Sequence, residues 1–422
     1  MNKILIIILI NILFGCMKGK QVDQIFYNGK LYETGKTIGS NQAIAVKNGI
    51  IKEIGPDRQI MNKYRANAYI DLNSSYVYPT FTITMNSLFT SEELNQCDLK
   101  FTSKPTIGSL KTQIEKEIQL NKKKHIRIKQ VYGKEFDQEL ISSVKKGFPK
   151  HKITLLNHNG TNSICIFENQ SQNTEQNQVS KPSDEQMTQI LIKKQQILLE
   201  QGVLTLRVLN VNEHEIELLK KLDRKNQLKI DIYCYLVPSI QLLNKISKLT
   251  SKNLKIDGIT LTDTVYTTMN ELLKKIKIKH FNVIASAKNS KIIDIIKATK
   301  GYDNDHRWSI YNTEEADKNT LRYAIENNFY FNYSEKNKLK PEPYSSIVFE
   351  KIPFKNTNLN HNMFIEQLSN YPVYQLFKDR EQGKIAKGYQ ANFNLFQLCI
   401  KKNQTFFTNQ TYSKGVKKYS VI

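Results

Sequence analysis

From about residue 80 to residue 380 the chain alternates strand-sized apolar runs with amphipathic helical stretches, and this alternation constrains its fold more than any other feature. Strand candidates fall at 153–156, 204–209, 230–236, 258–261, 281–285 and 308–311. Helical stretches fall at 185–200, 213–225, 240–248, 269–278 and 290–298. An apolar run that repeats between helices needs cover on both faces, and helices packed outside a parallel sheet supply it. At 422 residues and 40% hydrophobic content there is enough chain to close such a sheet. The expected class is α/β, with a TIM-like (β/α)8 barrel, regular or distorted, over residues 79–385.

The flanks read differently. Residues 23–32, 43–54, 68–72 and 76–79 form short β-type runs punctuated by Asn28-Gly29, Asn48-Gly49 and Gly55-Pro56, with a helix-like stretch at 57–64. Residues 388–396 and 404–421 return to the same texture. The expectation is a small β-sandwich domain built from both chain ends, residues 21–78 and 386–422. The Asn/Gln/Ser-rich segment 168–183 lacks an apolar period and reads as a surface loop.

The first residues carry a separate signal. Lys3 precedes an apolar run from Ile4 to Phe14, and Gly15-Cys16 follows. A run of that length suits a secretory signal rather than a stable membrane span. Leu13-Phe14-Gly15-Cys16 resembles a bacterial lipobox, which makes residues 1–16 a lipoprotein-type signal peptide and Cys16 the lipidation site. The expected location is the bacterial cell envelope, with the membrane as a partner through the N-terminal lipid. Cys97, Cys165, Cys234 and Cys399 show no CxxC pairing and no metal-like spacing.

The formal charge of +23 argues for a polyanion only if the cations cluster. The pairs Lys145-Lys146, Lys193-Lys194, Lys220-Lys221 and Lys274-Lys275 are instead spread along the chain, most of them on the polar faces of amphipathic helices. This distribution argues against a nucleic-acid partner and favours solvated faces.

Several stretches resemble one family. Residues 25–32 (IFYNGKLY), 43–55 (AIAVKNGIIKEIG) and the approach Asp71-Leu72 to Val77-Tyr78-Pro79 are similar in order and spacing to the opening of amidohydrolase family 3, a branch of the metal-dependent hydrolase superfamily. Tyr132 to Asp137, Asn159-Gly160-Thr161, Gln201-Gly202-Val203, residues 314–325 and residues 382–388 (QGKIAKG) resemble later segments of that family. The resemblance implies a barrel with a composite β domain, zinc or another divalent metal as cofactor, and hydrolysis of C–N bonds other than peptide bonds.

The resemblance also locates where the ligands of that metal would stand. Met85 and Ser87 occupy the two positions of the family's His-x-His, Thr260 the bridging Lys, Ala285 the strand-five His, and Ile310 the His of the next motif. These side chains offer no zinc donor set. No cofactor is therefore expected, and the chain reads as a degenerate, metal-free pseudoenzyme that binds an unknown small-molecule or surface ligand. Two alternatives stand beside it. One is an active hydrolase with rearranged chemistry that uses Asp263, Glu342 or His306 as catalytic groups; the other is a Lys-rich adhesive surface protein that binds polyanions. For His306 and His158 the competing reading is a ring that only hydrogen-bonds backbone.

Overall fold

A computed structural model describes residues 19–32, 39–89, 99–101, 103–119, 125–130, 138–156, 163–167, 170–172, 183–262, 269–289, 292–297, 305–311, 317–331, 361–399 and 405–421. Cys16, Cys97, His158, Asp263, Glu342 and the stretches 132–137 and 159–161 lie outside the described residues. The chain divides into two units, one of residues 1–88 with 191–422 and one of residues 89–190.

The first unit opens with β1 (Lys20–Leu31), β2 (Gly39–Lys47), β3 (Ile50–Pro56), α1 (Asp57–Lys63), β4 (Tyr64–Asp71), β5 (Tyr76–Pro79) and β6 (Phe81–Met85). The turn between β2 and β3 is Asn48-Gly49, both at positive φ (54° and 72°), which fits the preference of tight hairpins for these residues.

The second unit holds β7 (Leu99–Phe101), α2 (Ile107–Gln119), β8 (His125–Gln130), α3 (Gln138–Gly147), β9 (Lys152–Leu156), β10 (Ser163–Phe167) and β11 (Gln170–Gln172). These five strands form their own sheet, ordered β11-β10-β9-β8-β7. Its core gathers Leu110, Ile114, Ile126, Ile128, Ile141, Val144, Ile153 and Leu155. Residues 153–156, expected as a barrel strand, therefore belong to a separate sheet. An apolar run of that size has the same appearance in either setting. Residues 170–172, expected in a loop, form its edge strand β11.

Helix α4 (Asp184–Glu200) crosses the boundary between the units. There follow β12 (Val203–Val211), α5 (Glu213–Arg224), β13 (Asp231–Leu236), α6 (Ile240–Lys245), β14 (Leu249–Thr250), β15 (Leu254–Leu261), α7 (Met269–Ile278), β16 (Asn282–Ser286), α8 (Ile292–Lys297), β17 (Ser309–Tyr311), α9 (Lys318–Glu326) and β18 (Tyr330–Phe331). Strands β6, β12, β13, β15, β16, β17 and β18 pair in that order, every pair parallel. Seven parallel neighbours in chain order are the succession a (β/α) barrel requires. Local signals agree: Asn212 caps α5 reciprocally with Glu215 in a capping box, and Ser239 and Asp317 cap α6 and α9.

The chain ends with α10 (His361–Leu368), α11 (Asn370–Gln375), β19 (Phe393–Cys399), β20 (Thr405–Ser413) and β21 (Val416–Ser420). Strand β19 pairs with β5, so both chain ends join one eight-stranded sheet, β21-β20-β19-β5-β1-β2-β3, with β4 paired to β1. Hydrogen bonding thus joins both chain ends in one sheet. Both of its faces are buried along β1 and β2. Ile25, Ala43 and Ala45 pack with Ile60 of α1, while Phe26, Ile44 and Val46 pack with Phe393 and Tyr412. Phe26 meets those two rings edge-on at 5.0 and 5.2 Å.

Candidate active site at the barrel mouth

Parallel half-barrel sheets of this (β/α) kind place chemistry at the C-terminal ends of their strands, on side chains of the concave face. Which side chains face inward follows from packing. Leu209 of β12, Tyr233 and Tyr235 of β13, Ile284 of β16, Tyr311 of β17 and Leu376 form one apolar cluster. Strands β12 and β16 are not neighbours, so residues on them meet only across a concave surface.

Ladder partners in parallel strands share a face, which extends the assignment. Thr84 pairs with Arg207 and Arg207 with Tyr233; Tyr235 pairs with Gly258 and Gly258 with Asn282; Thr260 pairs with Ile284 and Ser286 with Tyr311. These are the inward residues. Their alternates Met85, Val208, Cys234, Leu261, Ala285 and Ile310 form the opposite face.

Three of the five positions inferred from the family resemblance, Met85, Ala285 and Ile310, thus lie on the outer face of their strands. Thr260 faces inward, and Ser87 follows the end of β6, half-buried. A one-residue change of register moves a side chain across the sheet. The inward residues nearest those positions are Thr84 on β6, Ile284 and Ser286 on β16, and Ser309 and Tyr311 on β17.

Thr260 is fully buried, and its hydroxyl is committed. It accepts the Asn210 main-chain N–H (3.1 Å) and donates to the Tyr235 carbonyl (3.5 Å). Asn210 sits at φ 57° where a bulge interrupts the pairing of β12 with β13, and its side-chain amide donates to the Asn86 carbonyl (3.1 Å). Ser286 Oγ accepts the Lys288 N–H (3.3 Å), and Asn289 donates to the Thr262 carbonyl (2.5 Å). Lys194, expected on a solvated face, is buried, and its amine donates to the Leu88 carbonyl (2.6 Å) just beyond β6. The described inward residues at this end, Thr84, Thr260, Ser286 and Tyr311, therefore carry uncharged hydroxyls, and the bulge places the Asn210 amide near Thr260. Such donors do not fit zinc, which takes imidazole, thiolate or carboxylate. No group of three or more His, Cys, Asp or Glu among the described residues could hold a metal ion.

Deeper in, the barrel carries charge that sequence reading missed. Arg207 is buried and donates to Gln375 Oε1. Burial lowers its pKa, an effect that Tyr235 and Asp257 oppose. Asp257 accepts from the Tyr235 hydroxyl (3.4 Å) and the Asn282 amide (2.8 Å), with the Lys248 ammonium 3.6 Å away. Burial, then the Asp257 charge, raises the Tyr235 pKa and keeps the phenol neutral. The available signals were an Arg inside the otherwise apolar run VLTLRVLNV and the Tyr-x-Tyr of DIYCYL. An added Cβ at Gly258 would meet the Tyr235 ring at 2.4 Å, so only glycine lets that ring cross β15 toward Asp257.

His306 stands before β17, at the opposite end of the barrel from the mouth. Its Nδ1 accepts the Trp308 N–H (2.9 Å), which leaves Nε2 to donate to the Asn327 carbonyl (3.0 Å). Burial lowers its pKa. Both ring nitrogens are thus engaged with backbone. Beside it, Arg307 (φ 52°) lies over Tyr374 and Phe377, with its Cζ 3.9 and 4.1 Å from their ring centroids, and bonds Asp305, Asp379 (2.6 Å) and the Tyr374 carbonyl. Leu376, beside these rings, joins the inner cluster with Tyr233, Tyr235 and Tyr311.

No helix among the described residues is long and apolar enough to cross a membrane. No protein-family model matches the chain, and no curated sequence does. Among solved structures the chain is similar to an uncharacterized metal-dependent hydrolase of Pyrococcus horikoshii OT3 (TM-score 0.62, 12% identity, 88% of this chain and 96% of that one). It is also similar to one of Pyrococcus furiosus (0.60, 13%, 88% and 98%) and to the ochratoxinase of A. niger (0.52, 10%, 94% and 96%). Identities this low carry the fold and not the activity. The chain thus shares the α/β fold of these solved structures.

Proposed function

We propose that this chain is an exported lipoprotein, tethered through Cys16, whose amidohydrolase-like barrel binds a neutral polar ligand at its mouth and does not carry out metal-assisted hydrolysis. The observation that carries the reading is the uncharged, hydroxyl-bearing set of inward residues at the strand ends, Thr84, Ser286 and Tyr311, around the buried tie made by Thr260. Metal-assisted hydrolysis needs a divalent ion with an open coordination position. Hydroxyls and amides instead suit a ligand whose own hydroxyl or amide groups exchange hydrogen bonds with them. The tether is supported by the lipobox-like residues 13–16.

The test is elemental analysis of the full chain after exposure to zinc, iron and manganese in turn, followed by desalting. A metal-to-protein ratio near zero is expected. About one tightly held ion per chain would overturn the metal-free reading.

A further inference from the structure

Away from the mouth, α4, the turn before β13 and the last strand β21 form a half-open pocket of about 360 Å³ lined by Ile192, Gln196, Leu199, Lys229, Lys418 and Tyr419 among others. Because residues 227–229 lead into the start of β13, this pocket lies by the N-terminal end of that strand. Its walls combine aliphatic surface with two ammonium groups. We propose that it is a binding site for a small organic anion, a carboxylate or phosphate monoester that carries an apolar tail.

The first observation is a fixed wall. Gln195 on α4 accepts the Lys229 main-chain N–H (2.6 Å) and donates to the Gln227 carbonyl (3.2 Å), so the helix and the turn hold each other. The second is convergence of charge from three separate parts of the chain, around residues 229, 252 and 414–418. Lys229 and Lys252 both donate to Asn226, to its carbonyl (3.2 Å) and its side-chain oxygen (2.8 Å). An ammonium has three donors, so each retains capacity for a ligand. Partial burial, then the charges of Lys229 and Lys252, hold the Lys418 ammonium below the usual lysine range; Lys414 adds to them and Asp231 opposes them.

The cations still outnumber the nearby anions. Asp231 is engaged by Lys255, and Glu200, held by the neutral Gln196 amide (3.2 Å), adds one negative charge that reaches Tyr419, against Lys229, Lys252, Lys414 and Lys418. An anionic head against Lys229 and Lys418 would relieve their mutual repulsion, and its tail would cover Ile192 and Leu199. The volume lies within the range of small-molecule sites.

Calorimetric titration of the full chain with hexyl phosphate, hexanoate, hexanol and inorganic phosphate tests this. Both amphiphilic anions should bind saturably at about 1 mM or tighter, and hexanol and inorganic phosphate at least roughly tenfold more weakly. Lys418→Gln and Lys229→Gln should each weaken hexyl phosphate about tenfold, and Gln196→Trp should abolish its binding by filling the space. Lys318→Gln, which removes the same charge outside the cavity, should leave it unchanged. Absence of saturable binding, equal binding of inorganic phosphate, or equal weakening by Lys318→Gln would each overturn the assignment. Metal content does not enter this test, so it stands or falls apart from the reading of the mouth.

Discussion

Thr260 and His306 show how single residues separate the readings of this barrel. The Thr260 hydroxyl accepts from Asn210 and donates to the Tyr235 carbonyl, so its role at the mouth is to hold β12, β13 and β15 together. Thr260→Val keeps the shape and strands the Asn210 N–H, which should cost about 1–2 kcal/mol in urea unfolding, while Thr260→Ser should cost less. If Thr260→Val left stability unchanged, the hydroxyl would not be a structural tie. For His306 the prediction concerns pH. Burial puts its folded pKa below the ordinary 6.5, so the unfolded chain binds the extra proton first as pH falls. The contribution of His306 to stability is complete above about pH 6.5 and declines on acidification. His306→Asn should flatten the fall in Tm between roughly pH 7 and 5, and an unaltered profile would place the titrating group elsewhere. The type of residue at these sites was legible from the sequence, but the face was not. Met85, Ala285 and Ile310 sit on strands too buried for alternation of polarity to reveal which side is inward.

At the scale of elements, the junction between α4 and β12 decides whether the barrel and the end sheet fit together. Gly202 has φ +77°, and a Cβ there would stand 2.4 Å from Asn394 Nδ2, which donates to the Gly202 carbonyl (2.9 Å). Gly202→Ala adds backbone strain to the loss of that bond and should destabilise by roughly 2–3 kcal/mol, read from the urea midpoint. A cost within about 0.5 kcal/mol would mean that Asn394 moves aside freely. Element positions were mostly legible. The strand expected at 281–285 is β16 (Asn282–Ser286), and the helix expected at 269–278 is α7, because periodicity and turn residues carry that information locally. Partnership between elements was less legible. Residues 153–156 were a strand as expected, yet their neighbours are β8 and β10, and nothing local to KITLL distinguishes that sheet from the barrel. The lysines around the cavity illustrate the same limit, since positions 229, 252, 414 and 418 look dispersed until β21 is placed beside the turn before β13.

The whole molecule depends on its last strands. Strand β19 pairs with β5, Thr411 donates to the Leu199 carbonyl (2.9 Å), and Asn394 reaches Gly202, so residues after 390 are tied to the entry of the barrel. Phe393 stacks on Tyr412 at 5.0 Å and meets Phe26 edge-on, joining the two chain ends in one core. If sheet and barrel unfold together, damage to that core should be felt in the barrel. The single tryptophan makes this measurable, because Trp308 is buried immediately before β17 and far in sequence from Phe393. Phe393→Ala should cost about 3–5 kcal/mol. In a cooperative unit the Trp308 fluorescence transition should move to lower urea by the full amount, in step with loss of secondary structure. An unmoved Trp308 transition, with only the β signal shifted, would mean that the barrel stands without the sheet. The end strands would then be an appendage that the barrel carries rather than part of what keeps it folded.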